Sequence, residues 1–174
     1  MAIYAFEKRI PEVDESAYVS SSSEIIGDVT IGKECFIGPG ARIKGDYGSI
    51  IIGDYSNVQE NCVIHARPGE KTVIGNYVSI GHAAVIHGAH IEDHATVGMG
   101  AIVSDFAKVG KWSVVGEGAV VVSRTEVSDE GIAVGTPAKV IGSVDDDFKE
   151  MWTEYKELYR SLSQRYKEGL RKVG

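Results

Sequence analysis

Cysteine, proline and basic charge are all scarce in this chain of 174 residues: two cysteines, four prolines, and 18 Lys and Arg against 25 Asp and Glu. Cys35 and Cys62 lack CxxC spacing and any secretory context, which excludes a disulfide framework. The formal charge of −7, without a Lys/Arg cluster along most of the chain, argues against nucleic acid and anionic membrane as partners. A small ligand is the better expectation. No apolar run approaches the roughly eighteen residues of a membrane span, and the opening MAIYAFEKRI lacks a signal-peptide core, so a cytoplasmic location is expected. The length suits about one domain.

What the chain has is a repeat. Aliphatic residues return every sixth position at Val13, Val19, Ile25, Ile31, Ile37 and Ile43, at Ile52, Val58 and Ile64, and at Ile74, Ile80 and Ile86. The last run is Ile91, Val97, Val103, Val109, Val115, Val121 and Val127. A small residue precedes most of them by two places, among them Ala17, Ser23, Cys35, Ala41, Cys62, Ala95 and Ala101. Glycine often follows them. Six is not a helix period, and β-branched residues at nearly every repeat favour short strands. Glycine is expected to supply the corners. Strand, corner and strand, with one large and one small inward residue each time, describe a coil of flat faces around a stack of aliphatic layers. Cys35 and Cys62 fall on small inward positions and are read as buried.

The pattern resembles the hexapeptide-repeat family of left-handed parallel β-helices, over about residues 13–142. The hand comes from that resemblance and not from the periodicity. An all-β coil, three hexads per turn, is therefore expected for residues 1–142. Residues 143–174 differ. Phe148, Met151, Trp152, Tyr155, Leu158, Tyr159, Leu162, Tyr166 and Leu170 step by three and four, which predicts a long amphipathic helix, with Asp145, Asp146 and Asp147 at its start and Arg171 and Lys172 near its end. Its aromatic stripe must be covered by its own coil or by a neighbour.

Three of the five histidines lie in IGHAAVIHGAHI, Ile80 to Ile91. Counting hexads, with the insertions around Asp46 to Ser49 and Arg67 to Thr72 set aside as loops, puts His65 and His87 in one slot exactly one coil apart, about 4.8 Å. They should stack. His82 lies on a different face, and within one chain it points elsewhere; threefold packing of triangular prisms would bring a neighbour's His82 against His65 and His87. Three neutral imidazoles with an open fourth position make a catalytic zinc set. His90 and His94 fall on outward slots and read as surface residues.

NVQENCVIHA (Asn57 to Ala66), IGHAAVIHGA (Ile80 to Ala89) and VGMGAIV (Val97 to Val103) resemble the gamma-class carbonic anhydrase family, and YRSLSQRYKEGL resembles its members encoded with phenylacetate-degradation and carnitine operons. The resemblance implies a homotrimer whose interfaces hold a divalent metal, zinc or otherwise iron or cobalt, on His65, His82 and His87, the second from the adjacent chain. It implies reversible hydration of carbon dioxide to bicarbonate. Gln59 matches a glutamine that orients the reacting water, Glu60 stands where the family usually has Asp, and Tyr159 matches a helix tyrosine that reaches the site. Lys44 and Asp46, in IKGDYG, match a family Arg-Gly-Asp ion pair, with lysine unable to form the bidentate fork of arginine. The proton-relay glutamate and long acidic loop of the archetypal enzymes are replaced by Tyr47 and the short ARPGEKT, which leaves Glu70 as a surface charge by default and argues against fast turnover.

Three other readings stay open: a hexapeptide acyltransferase using acyl-CoA, thioester hydrolysis at the same zinc site, and a non-catalytic metal-binding or assembly protein.

Overall fold

The computed structural model describes residues 2–174. Their backbone winds as a left-handed parallel β-helix, closed by one helix. Most strands are only two or three residues long, because each inward aliphatic is followed at once by a corner. Successive coils pair in parallel: Ile25 sits over Ile43, Ile43 over Ile64, Ile64 over Ile86, Ile86 over Val103 and Val103 over Val121. All six are fully buried, and the small inward residues Ala41, Cys62, Ala84, Ala101 and Ala119 fill the space beside them. Each buried Val or Ile side chain contributes about 1.5–3 kcal/mol relative to exposure, so the aliphatic columns dominate the stability of the coil.

The glycines and the corners divide their work differently from the sequence expectation. The left-handed positions are mostly filled by other residues, including Tyr55, Tyr77, His94 and Trp112 at φ of 53° to 63°. The glycines after the aliphatics serve close approach instead. At Gly75 a Cβ would lie 2.5 Å from Asp93 Oδ1, the oxygen that accepts the Asn76 backbone N–H at 2.8 Å. The same absence of a Cβ at Gly32, Gly53 and Gly110 lets Asp54, Asn76 and Asp129 accept the following backbone N–H of the adjacent coil.

Asp46 to Ser49, expected as a loop, is strand. A single strand, Arg42–Ile52, crosses from one face to the next, pairing with Val63–His65 by its first half and Lys71–Ile74 by its second. Its extra residues are absorbed as a register shift opposite Gly27 to Val29. Thr72, expected in a loop, is likewise in a strand and buried, its hydroxyl bridging His65 O and Gly88 N. Alternating burial explains both results: inward Ile43, Ile50 and Ile52 on the first strand, and inward Thr72 and Ile74 on Lys71–Ile74, keep the chain on the coil surface.

The last coil ends in an antiparallel strand, Lys139–Ser143. The C-terminal helix, Asp146–Gly169, begins at an N-cap where Asp145 accepts the Phe148 N–H at 2.8 Å. It runs back across the face formed by Tyr18, Phe36, Asn57, Ser79 and Thr96, which stack in register. Tyr166 meets Tyr18 and Phe36 edge-on, and the Trp152 indole N–H donates to Thr96 at 2.5 Å. Its own coil therefore covers part of the stripe, while Met151, Tyr155 and Leu158 stay exposed. The two helix residues that are fully buried are Lys156 and Ser163. This helix is not apolar enough to cross a membrane.

Candidate metal centre

His65 and His87 are in register on adjacent strands, in the slot after the buried Ile64 and Ile86. Inward burial of those two isoleucines forces both imidazoles onto one outer edge. The His65 Nε2–H donates to Asp46 Oδ1 at 2.9 Å, and the His87 Nδ1–H donates to Asp105 Oδ1 at 2.5 Å. With those protons committed, the remaining nitrogens, His65 Nδ1 and His87 Nε2, carry lone pairs that face each other at 3.1 Å. Either a proton on one of the two nitrogens or a cation shared by both would satisfy that contact. Two nitrogens bound to one tetrahedral zinc at about 2.05 Å lie about 3.3 Å apart, so the pair suits a shared ion.

Each imidazole has a carboxylate behind it, and each carboxylate has a cation. Lys44 lies 3.0 Å from Asp46 Oδ2, and Arg67 lies 2.9 Å from Asp105 Oδ2. Burial works to raise both carboxyls, but the hydrogen bonds from His65 and Lys44, and from His87 and Arg67, outweigh it and hold both below the usual carboxylate range. Anionic partners of this kind fix ring orientation and raise ligand basicity. Gly88 makes the second pair possible: a Cβ there would sit 2.5 Å from Asp105 Oδ1.

His82 is elsewhere. It lines a separate cavity of about 260 Å³ with Gln59, Met99, Trp152, Tyr155 and Tyr159, whereas His65 and His87 open onto the Lys44 and Val63 side. No group of three metal-ligating side chains converges within the chain among the described residues. Glu60 Oε2, buried and without an aligned hydrogen bond, lies 2.6 Å from His82 Nδ1, so His82 has a carboxylate behind it as the other two do. Burial pushes the Tyr159 phenol up, and Glu60 and Tyr166 reinforce this, keeping it a donor at neutral pH. Tyr47 is exposed, as is Glu70. A larger groove of about 750 Å³, between Glu34 and Arg160, contains no histidine.

Sequence reasoning missed four things. Asp105 follows Val103 by two places, so the hexad count that stacked His87 on His65 could have placed it beside His87. Arg67 falls in the segment that the hexad count sets aside as a loop, yet it pairs with Asp105. His94, read as a surface residue, is clamped between Tyr77 and Trp112, whose ring centroids lie 5.2 and 4.4 Å away in near-parallel stacks, and its Nδ1 is buried without a partner. Burial is the main cause holding it below the usual histidine range, with Lys156 adding to the effect. The fourth is a polar ladder under the helix. The Gln59 Nε2–H donates to Asn57 Oδ1 at 3.0 Å, the Asn57 Nδ2–H donates to Ser79 Oγ at 2.9 Å, and Lys156 Nζ lies 3.5 Å from that hydroxyl.

Comparison with known proteins places this geometry in context. The hexapeptide repeat of succinyl-transferase matches residues 28–66 and 71–105. A probable carbonic anhydrase of Methanocaldococcus jannaschii is 42% identical over 86% of the chain and 97% of its own length. The carnitine operon protein CaiE of Escherichia fergusonii is 38% identical over 91% of the chain and 83% of its own length. A Bacillus cereus crystal structure, provisionally described as an acetyltransferase, superposes with a TM-score of 0.94 at 32% identity, covering 96% of this chain and 97% of that one.

Proposed function

The chain belongs to the gamma-class carbonic anhydrase-like branch of the hexapeptide-repeat proteins, and from that premise we propose that it is a homotrimeric, zinc-dependent catalyst of carbon dioxide hydration. One observation carries the reading: His65 and His87 turn two carboxylate-backed lone pairs toward a common point, while the third carboxylate-backed imidazole, His82, lies on another face where only a second copy could bring it to them. The outer column Val63, Val85, Ile102 and Val120 runs along the same sheet as His65 and His87 and is half-buried or exposed. An apolar strip beside the two ligands is the surface a partner coil would cover.

Zinc, when held, supplies the Lewis acidity that makes a water nucleophilic near neutral pH. The chain's own residues supply the rest. Asp46 and Asp105 each accept one ring N–H, which fixes the tautomer and aims the other nitrogen of each imidazole at the metal position. Gln59, on the wall beside His82, accepts a hydrogen bond from the attacking water and so fixes the lone pair it presents. Tyr159 donates to oxygen in the same cavity. Lys44 steadies Asp46 without the bidentate grip of an arginine. The loop after His65 is committed elsewhere: Arg67 anchors Asp105, and the exposed Glu70 and Tyr47 touch neither histidine through any hydrogen bond. Proton release to solvent is therefore the slow step.

The test combines metal analysis, light scattering and a hydration assay. The expected result is a trimer with about one zinc per chain, whose turnover rises with imidazole buffer while carbon dioxide capture changes little. His65→Ala and His82→Ala should each lose the metal, and His90→Ala should retain it. A zinc-replete monomer, or a fully loaded trimer inactive at saturating buffer, removes the proposal. Acyl-CoA turnover is then the next assay, because a largely apolar cavity of about 260 Å³ beside His82 exceeds what carbon dioxide fills.

A further inference from the structure

Lys156 is the one lysine driven fully inside, 1% exposed between the helix and the coil. Its Nζ donates to three oxygens, Ala95 O at 3.2 Å, Thr96 Oγ1 at 3.3 Å and Ser79 Oγ at 3.5 Å. Those bonds use all three hydrogens of an ammonium. None of the acceptors is charged, and no carboxylate offsets the burial, which pulls the amine down to about 7. A buried cation without a counter-charge is costly unless something else supplies one.

Two of the three acceptors, Ser79 and Thr96, also line the cavity beside His82. A hydroxyl has two lone pairs and one hydrogen to give. Thr96 Oγ1 takes the Trp152 indole N–H at 2.5 Å as well as Lys156, and an indole can only donate. Ser79 Oγ takes the Asn57 Nδ2–H at 2.9 Å as well as Lys156. Both oxygens thus have their lone pairs committed, and neither hydroxyl hydrogen has an acceptor on the chain among the described residues. Tyr159 brings a third hydroxyl to the same cavity, kept protonated by burial. Much of the remaining lining is apolar: Val97, Met99, Trp152 and Tyr155. Of the carboxylates nearby, Glu60 is held against His82 Nδ1 at 2.6 Å, and Glu117 is exposed to solvent. Hydroxyl hydrogens without acceptors, backed by a cation without a counter-charge, call for a ligand that brings oxygen and negative charge together.

We propose that this cavity is a carboxylate site: a small monocarboxylate sets its oxygens on the Ser79 and Thr96 hydroxyls, with the Lys156 ammonium behind them as counter-charge, and lays an apolar tail along Trp152, Tyr155 and Met99. The site requires neither the metal nor the reaction proposed above. A volume of about 260 Å³ leaves room for a tail beyond the three oxygens of bicarbonate. Each hydroxyl gives a stronger bond because the N–H it accepts polarises it. Binding should also return the amine toward the ordinary lysine range, since the anion offsets its burial. The other titratable groups that sense it are uncharged at neutral pH: burial holds His94 below its usual range on the coil and keeps Tyr159 a phenol on the helix.

The test uses butyrate, its uncharged counterpart butyramide, and bicarbonate on the metal-free full-length protein, so that no ion at the histidines captures the anion. Calorimetry should show butyrate bound and butyramide not. NMR of protein with ¹⁵N-labelled lysine should show the Lys156 amine keeping its proton to higher pH when butyrate is present. Lys156→Met should weaken butyrate binding about tenfold or more. Thr96→Val should weaken it as well, and it carries the test if the methionine variant fails to fold. Butyramide bound as tightly as butyrate, or a Lys156 signal that ignores both anions, overturns the proposal. Bicarbonate bound in place of butyrate, with the same Lys156 response, would assign the same oxyanion site to the product of hydration. Butyrate binding in a protein that never hydrates carbon dioxide would remove only the function proposed above.

Discussion

Replacing Asp105 by asparagine separates metal affinity from folding. Asp105 joins His87 Nδ1 at 2.5 Å to Arg67 at 2.9 Å, one oxygen to each. Asparagine keeps the shape but has a single acceptor oxygen. If that oxygen faces His87, the amide N–H₂ points at the guanidinium, donor against donor, and Arg67 must leave; if it faces Arg67, the His87 ring turns and its free lone pair no longer meets that of His65. Either way the negative charge behind His87 is lost. Partners of this kind are worth about 10–100-fold in metal affinity, or about 1.4–2.7 kcal/mol. The same change should cost little in stability, because the Asp105 and Arg67 side chains are 20% and 49% exposed and such pairs contribute about 0–1 kcal/mol. Zinc competition against a chelator, read beside thermal melting of the metal-free variant, should therefore give weaker binding at a nearly unchanged melting temperature. Unaltered zinc affinity would show that Asp105 does not tune a ligand. Affinity lost only in step with unfolding would show that it is a structural brace.

Further outcomes follow from the same geometry. Gly27→Ala should destabilise the coil by about 1–3 kcal/mol for its φ of +80° alone, with a further penalty from a Cβ 2.4 Å from Gly45 O, and the melting temperature should fall by several degrees; an unchanged melt would mean the long strand pair yields easily. Burial pushes the Cys35 and Cys62 thiols up to about 12 and about 11, so a thiol reagent at pH 8 should find neither in the native protein and both after denaturation. Prompt native labelling would place one of them outside the core. Asp14, Asp46 and Asp105 are all held below their usual values, so their contribution is complete above the unfolded carboxylate range near 3.9 and is lost as pH falls through the lower folded values. An acid-unfolding curve for Asp46→Asn should therefore be shallower than the parent's over that range; parallel curves would show no such linkage.

Everything periodic was legible in the order of residues. The six-residue spacing of Ile and Val, with a small residue two places earlier, dictates short strands and an aliphatic interior, because each inward position can hold only one of those two sizes. The same count stacks His87 on His65 and sends His82 to another face, since slots repeat every coil. The three-and-four spacing after Asp145 dictates the helix. Where spacing breaks, that arithmetic fails: nothing local distinguishes a loop at Asp46 to Ser49 from a strand that crosses two faces, and only pairing with both Val63–His65 and Lys71–Ile74 decides it. Contacts made between coils or across to the helix were equally out of reach. Asp105 meets His87 because Gly88 leaves room, His94 is clamped because left-handed corners stack ring upon ring, and Lys156 is buried because the helix lays it over the Asn57, Ser79 and Thr96 ladder. Sequence period sets which way a side chain leaves its own strand; what it meets there depends on neighbours brought in from other coils, and only their packing supplies the partner, the burial and the charge.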